Sequence, residues 1–249
     1  QVTCGVDSIT FWRGTGAERR GQDGIYGKLG KKQSHLCVAT LEDGRVLTGT
    51  MSGHIYVWDC RNCVKVIKAH DKSVNVLFVC KHGVISGGRD GKVRLWSASG
   101  PNIEPGAVFD IGGLGSFNPR VKSVCWSADG AKLLVGTMGA EVYEISAGDG
   151  SNFHAGPVLQ AHCRHEVRGL AMSPIKPEFC TVGDDQTVRI WDLKTRALIK
   201  MVMLDTMARC CRYSPDGMTI VVGLGARIEG VARQKKMGAY IVLDSSDLT

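Results

Sequence analysis

An all-β fold assembled from repeated small sheets is predicted by three features of this 249-residue sequence. One string, running from Val182 through Gly-Asp-Asp-Gln-Thr-Val-Arg-Ile to Trp191-Asp192, recurs from Ile85 to Trp96 and again from Leu47 to Asp59. Short alternating apolar runs, such as Val121 to Trp126 and Ala208 to Tyr213, lead into Ser-Ala-Asp-Gly at 127–130 and Ser-Pro-Asp-Gly at 214–217. Asp-Gly after a strand is a tight-turn signal, because Gly accepts positive φ and Asp bonds the adjoining backbone. No 3.6-residue apolar period persists anywhere in the chain.

Each copy of the repeat has the size of one structural unit that depends on its neighbours. Aligned on the Trp position, the copies fall at Trp12, Trp58, Trp96, Ile145, Trp191 and Leu243, at intervals of 46, 38, 49, 46 and 52 residues. Those intervals suit four-stranded β-propeller blades of about 40–45 residues with loop insertions. The predicted boundaries are a partial unit at 1–33 and blades near 34–70, 71–118, 119–162, 163–205 and 206–249. The chain enters mid-blade and ends just past a third strand, which gives about five visible blades. Propellers remove their sheet edges by closing a ring. The chain therefore reads as an incomplete slice of a larger, tandem propeller, with the rest of its polypeptide as its first partner.

Composition narrows the class. The chain is 43% apolar, with 32 glycines against 7 prolines, as many short strands and turns require. No apolar run approaches the ~18 residues of a membrane span, so no membrane partner is expected. The net charge of +7 favours a polyanionic surface. Nucleic acid is disfavoured, because no aromatic-studded basic strand offers base stacking. Of the 10 cysteines, Cys4, Cys37, Cys80, Cys125, Cys163 and Cys180 lie in or beside apolar runs. There they behave as small hydrophobes, which points to a reducing, intracellular compartment. Cys60-Arg-Asn-Cys63 has no second pair at zinc spacing and reads as a strand end and turn. Cys210-Cys211 reads as one strand with a thiol facing each way. No metal or cofactor is expected. The glycine-rich stretches Gly24 to Lys32 and Ile111 to Phe117 fail the phosphate-loop and dinucleotide patterns.

Two polar sets invite a catalytic reading. His70, Ser86, Asp90 and Trp96 occur in that order, and His162, Thr181, Asp185 and Trp191 repeat the backward spacing from Trp191. A Ser–His–Asp set met once suggests a nucleophilic triad. Met twice at one place in a repeat, it reads as a buried chain of hydrogen bonds tying a turn to two strands. The Ile145 unit lacks the Trp, His and Asp, and is expected to rely on apolar packing. Partner binding is assigned instead to two basic segments. Arg13, Arg19, Arg20, Lys28, Lys31 and Lys32 fall within 13–32, and Arg227, Arg233, Lys235 and Lys236 within 226–238. Loops on a rigid scaffold are where binding residues concentrate.

The order of the imperfect copies is more specific than the best ones. Val-Thr-Cys-Gly-Val-Asp-Ser-Ile-Thr-Phe-Trp at 2–12 is followed by Gly-Ile-Tyr-Gly-Lys-Leu-Gly at 24–30 and by Gly53 to Trp58. Gly-Gly-Arg-Asp-Gly at 87–91, Val-Lys-Ser-Val-Cys-Trp at 121–126 and Leu-Val-Gly-Thr at 134–137 continue the series, with Glu-Val-Tyr-Glu-Ile at 141–145 and Gln-Ala-His-Cys at 160–163. To about Gly225 this succession resembles the N-terminal WD40 propeller of the echinoderm microtubule-associated protein-like (EMAP-like) family. The resemblance implies a non-enzymatic cytoskeletal scaffold with tandem propellers. Tubulin, microtubules or other cytoskeletal proteins would be its partners, and the cytoplasm, cytoskeleton or ciliary axoneme its location. The alternative is a general adaptor that recognises a non-tubulin protein. The hydrophobic motif and the trimerising coiled coil that precede the propeller in that family lie outside this chain, and the 226–238 insert has no counterpart in the pattern.

Overall fold

The computed structural model describes residues 1–14, 18–97, 102–163, 166–225 and 239–249. Among them there is no α-helix, and the strands form open antiparallel sheets in which each strand pairs with the next in sequence. This is the blade architecture of a β-propeller. The chain divides into two compact units, 1–160 and 161–249.

The first unit holds four sheets. A three-stranded sheet comprises β1 (Val2–Gly5), β2 (Ser8–Arg13) and β3 (Arg20–Asp23). A four-stranded sheet follows, with β4 (His35–Thr40), β5 (Val46–Thr50), β6 (His54–Asp59) and β7 (Asn62–Lys68). The third contains β8 (Val74–Cys80), β9 (Gly83–Gly88), β10 (Lys92–Ser97) and β11 (Glu104–Asp110). The fourth contains β12 (Val121–Trp126), β13 (Lys132–Thr137), β14 (Glu141–Ser146) and the short β15 (Leu159–Gln160). In the second unit, β16 (Val167–Met172), β17 (Glu178–Gly183), β18 (Thr187–Asp192) and β19 (Leu198–Met203) make one sheet, and β20 (Ala208–Tyr213), β21 (Thr219–Leu224) and β22 (Tyr240–Asp244) another.

The core lies between successive sheets within each unit. Strand residues alternate between faces, so an apolar residue at every second position of the middle strands reaches the neighbouring sheet. Leu47, Ile55, Val57, Val74, Leu77, Val84 and Trp96 fill the layer between the second and third sheets. Ile85, Val93, Val121, Val124, Leu133, Val135, Tyr143 and Ile145 fill the next. In the second unit, Cys180, Val182, Val188, Ile190, Ile220 and Val222 do the same.

Every complete first strand carries the same irregularity. The register skips one residue between His35 and Cys37, Val74 and Val76, Val121 and Ser123, Val167 and Gly169, and Ala208 and Cys210. Such a bulge bends the strand and re-aims the extra side chain. That side chain is Leu36, Asn75, Lys122, Arg168 or Arg209. Asn75 Nδ2 donates to the Val121 carbonyl at 2.8 Å, so this bulge bonds the third sheet to the fourth.

Candidate functional site

Both polar sets form continuous hydrogen-bonded chains. In the third sheet Trp96 pairs with Val84 across β9 and β10, which puts its indole on the same face as Ser86 two residues further on. Trp96 Nε1–H donates to Ser86 Oγ at 2.9 Å, Ser86 Oγ lies 2.8 Å from His70 Nε2, and His70 Nδ1 lies 2.9 Å from Asp90 Oδ1. Ser86 has no exposed surface and His70 only 1%. Burial lowers the His70 pKa, with the Asp90 charge opposing the shift. The neutral tautomer assigned from this network donates Nδ1–H to Asp90 and accepts the serine hydroxyl at Nε2. Burial works against the Asp90 charge, yet His70 and the N–H groups of Asp71 and Lys92 hold its carboxyl below the ordinary value.

The fifth sheet repeats the chain and extends it. Trp191 Nε1–H donates to Thr181 Oγ1 at 2.6 Å, His162 Nε2 lies 2.9 Å from the same oxygen, and His162 Nδ1 lies 2.8 Å from Asp185. Arg189 is fully buried beside it. Its Nε–H donates to Thr187 Oγ1 at 3.0 Å, its Nη2 to Asp185 at 3.3 Å and its Nη1 to the Ala161 carbonyl at 2.7 Å. Although burial opposes it, His162, the Thr187 hydroxyl and the Cys163 N–H keep the Asp185 carboxyl far below its usual value. Arg94 holds the same place in the third sheet, but Lys92 stands where Thr187 does. Among the described residues, the buried Arg94 Nε has no hydrogen-bond partner.

A third chain escaped the sequence reading. Trp58 Nε1–H donates to Thr48 Oγ1 at 2.9 Å, His35 Nδ1 lies 2.9 Å from Thr48, and Tyr26 OH lies 3.0 Å from His35 Nε2. Thr48 stands ten residues before its Trp, as Ser86 and Thr181 do, so the signal was present. Here the histidine comes from the first strand and a tyrosine replaces the carboxylate. Burial with no counter-charge lowers the His35 pKa to about 4.

The expectation for the Ile145 unit is corrected. Its sheet is not held by apolar packing alone, because Glu141 is buried and collects polar partners. The carboxylate accepts from the Ser116 hydroxyl, from Phe117 N–H at 3.0 Å and from Thr137 Oγ1 at 3.0 Å. Glu141 opens β14, outside the positions where Ser and Asp recur, so the repeat spacing does not reveal it.

The basic residues divide into two groups. Arg13 and Arg20 are direct cross-strand partners on β2 and β3, and both are exposed. Like charges opposite one another on a sheet repel. Arg19 Nη1 donates to Gln1 Oε1 at 2.6 Å. Lys28, Lys31 and Lys32 are exposed on a segment fixed at several points. Tyr26 packs edge-on against Trp58 with centroids 5.2 Å apart, Gly30 N–H donates to the Tyr26 carbonyl at 3.1 Å, and Lys31 N–H donates to Tyr56 OH at 3.1 Å. Among the described residues none of these six cations is in an ion pair. Arg227, Arg233, Lys235 and Lys236 lie outside the described residues.

Cys60 occupies a positive-φ turn between β6 and β7, φ 53°, while Cys63 is buried. Cys210 is exposed and Cys211 half-buried on the opposite face. Among the described residues no group of three or more His, Cys, Asp or Glu is placed to hold a metal ion.

The WD domain, G-beta repeat model matches residues 61–97 and 156–192. The chain is 30% identical over 227 residues to echinoderm microtubule-associated protein-like 2 of Rattus norvegicus, covering 89% of this chain and 33% of that protein. It is 28% identical over 228 residues to the 77 kDa echinoderm microtubule-associated protein of Strongylocentrotus purpuratus, covering 90% and 32%. The chain is an EMAP-like WD40 protein. It is also 30% identical over 236 residues to the ciliary WD repeat-containing protein ctxp80 of Euplotoides octocarinatus, covering 90% and 31%. The EMAP-like chain thus spans about a third of the length of these relatives. Its two WD40 matches contain the His70 and His162 chains, whereas the Tyr26–His35 chain and the Glu141 hub fall outside them.

Proposed function

We propose that this chain is part of a non-enzymatic scaffold that associates with microtubules, and that its first basic segment contributes to the contact. The observation that carries the reading is the state of that segment. Arg13 and Arg20 sit side by side, and Lys28, Lys31 and Lys32 project from a backbone anchored by Tyr26 and Tyr56. Cations held in place outside any ion pair among the described residues attract an acidic partner at little ordering cost. The names of the relatives direct that attraction to microtubules, and to the cytoskeleton, cilia included, as its location.

The Ser–His–Asp arrangement supports a structural role in the scaffold. Ser86 has no exposure, and its oxygen is engaged by both Trp96 and His70. A nucleophile needs a free face toward substrate.

Co-pelleting of the parent protein with microtubules tests the reading. Charge reversal at Arg13, Arg20, Lys31 and Lys32 should reduce pelleting, and added salt should weaken it in the unaltered protein, since exposed charges are screened over about 10 Å at 0.1 M. Pelleting indifferent both to salt and to these reversals would remove the segment from the mechanism.

A further inference from the structure

In the first unit, a depression of about 350 Å³ is lined by Met51, Lys72, Ser73, Arg89 and Arg120. Its chemistry follows from one repeated backbone position. In the second to sixth sheets the residue after the second strand donates its N–H to the carbonyl of the residue before the first strand. Met51 bonds Ser34 at 3.1 Å, Arg89 bonds Ser73 at 2.9 Å, Met138 bonds Arg120 at 2.8 Å and Asp184 bonds Glu166 at 3.1 Å. In the fifth sheet this position is acidic, whereas in the sixth it is Gly225, which bonds Met207 at 3.0 Å. The buried Asp184 carboxylate accepts from Arg168 Nη2 at 3.0 Å and Arg209 Nη1 at 3.0 Å, so both bulge arginines are ion-paired. In the third sheet the same position is Arg89, and Lys72 and Arg120 line the depression with it.

None of Lys72, Arg89 and Arg120 is in an ion pair among the described residues. Two acids stand near in sequence. The Asp90 carboxylate is occupied by His70 and by the N–H groups of Asp71 and Lys92. Asp71 precedes Lys72 and is exposed. The Arg120 guanidinium makes a weak contact from Nη1 to Met138 Sδ at 3.9 Å. The walls are fixed: Ser73 Oγ donates to Asn75 Oδ1 at 2.9 Å, and Asn75 Nδ2 to the Val121 carbonyl at 2.8 Å. That link bonds the sheet carrying Lys72 and Arg89 to the sheet that follows Arg120.

We propose that this depression binds the carboxylate side chains of an acidic peptide segment. Guanidinium forks match carboxylates in geometry and are only weakly hydrated, so two arginines suit two acidic side chains. Met51, 60% exposed at the rim, adds apolar contact for an extended peptide. The lining has no aromatic ring on which a nucleobase could stack. The site is separate from the Arg13–Lys32 segment and does not depend on the microtubule reading.

Fluorescence anisotropy of the full chain with a fluorescein-labelled oligo-glutamate peptide tests it, with oligo-glutamine as control. The expected result is salt-sensitive binding of oligo-glutamate alone, weakened on the order of tenfold in an Arg89→Glu, Arg120→Glu double variant. Reversal at Arg13, Lys31 and Lys32 should leave it unchanged. The milder Arg89→Gln, Arg120→Gln pair, checked for an unaltered melting temperature, should also weaken binding. Equal binding by wild type and both double variants overturns the proposal. So does a wild type that ignores the peptide, or that takes single-stranded DNA of equal charge through the same arginines. Microtubule co-pelleting run in parallel separates the two ideas. Loss of pelleting only on reversal at Arg13, Lys31 and Lys32, with peptide binding kept, supports both.

Discussion

Glu141 accepts the backbone N–H of Phe117 at 3.0 Å, in the link before a first strand where two other sheets place a histidine. The carboxylate has moved from the turn between the second and third strands to the start of the third, and it holds the link through Ser116 and Phe117 rather than through a histidine. One mechanical task, holding that link to the sheet, is therefore done by two different sets of groups.

Replacing Glu141 with Gln turns one acceptor oxygen into a donor facing Ser116, Phe117 and Thr137. Orphaning buried hydrogen-bonding groups in this way should lower stability by about 1–3 kcal/mol. Hydrogen exchange should speed up first at 116–118, which the carboxylate holds. Unchanged exchange there with unchanged melting would refute the hub.

Lys92→Thr should stabilise the protein. In the fifth sheet Thr187 Oγ1 accepts from Arg189 Nε at 3.0 Å, whereas the matching Arg94 Nε has no partner among the described residues. A hydroxyl at position 92 supplies the missing acceptor, a gain of about 1 kcal/mol. The measurement is the denaturant midpoint at constant slope. A Lys92→Val control, which has the shape without the oxygen, should show a smaller gain or none.

Gly88→Ala and Gly183→Ala should differ although the two glycines hold matching positions. A methyl on Gly88 would run into His70 Nδ1 and the Asp90 carboxylate, whereas one on Gly183 meets the Glu166 carbonyl at 3.0 Å, His162 Nδ1 at 3.1 Å and Asp185 at 3.4 Å. The first should cost about 1–3 kcal/mol, typical of overpacking, and the second clearly less. Thermal melts of the two variants side by side decide it, and equal losses would contradict the packing described.

Acid should weaken the Tyr26–His35–Thr48–Trp58 chain. The folded His35 pKa is lowered to about 4 from an ordinary 6.5. Below pH 6.5 the unfolded chain takes up a proton that the native ring refuses. This contribution is therefore complete above 6.5 and is lost as the pH falls toward 4, at up to roughly 1.4 kcal/mol per pH unit. His70 shifts in the same direction, so the readout is a difference. Melting temperature against pH should fall less steeply in a His35→Gln variant than in the wild type, and parallel curves would rule out His35.

The repeat made the sheets and two polar chains legible because both follow fixed spacings. Trp96 with Ser86 and Trp191 with Thr181 need only the register of an antiparallel pair. Thr48 obeyed the same spacing, but its histidine, His35, lies within a first strand, where an alternating pattern invites no polar reading. Glu141 was hidden for a different reason. Its partners Ser116 and Phe117 belong to a link between sheets, and no spacing within one unit joins them. The depression at Arg89 depends on three sequence-distant positions that only the stacking of sheets brings together.

The first-strand bulges have a consequence for how such a chain diversifies. Five sheets place a leucine, an amide, a lysine and two arginines at one backbone position, yet the strand beyond each bulge keeps its alternation. The extra residue insulates what projects there from what packs behind it. Substitution at Leu36 or Lys122 can thus rewrite the chemistry shown to a visitor while the interior goes on reading the same code.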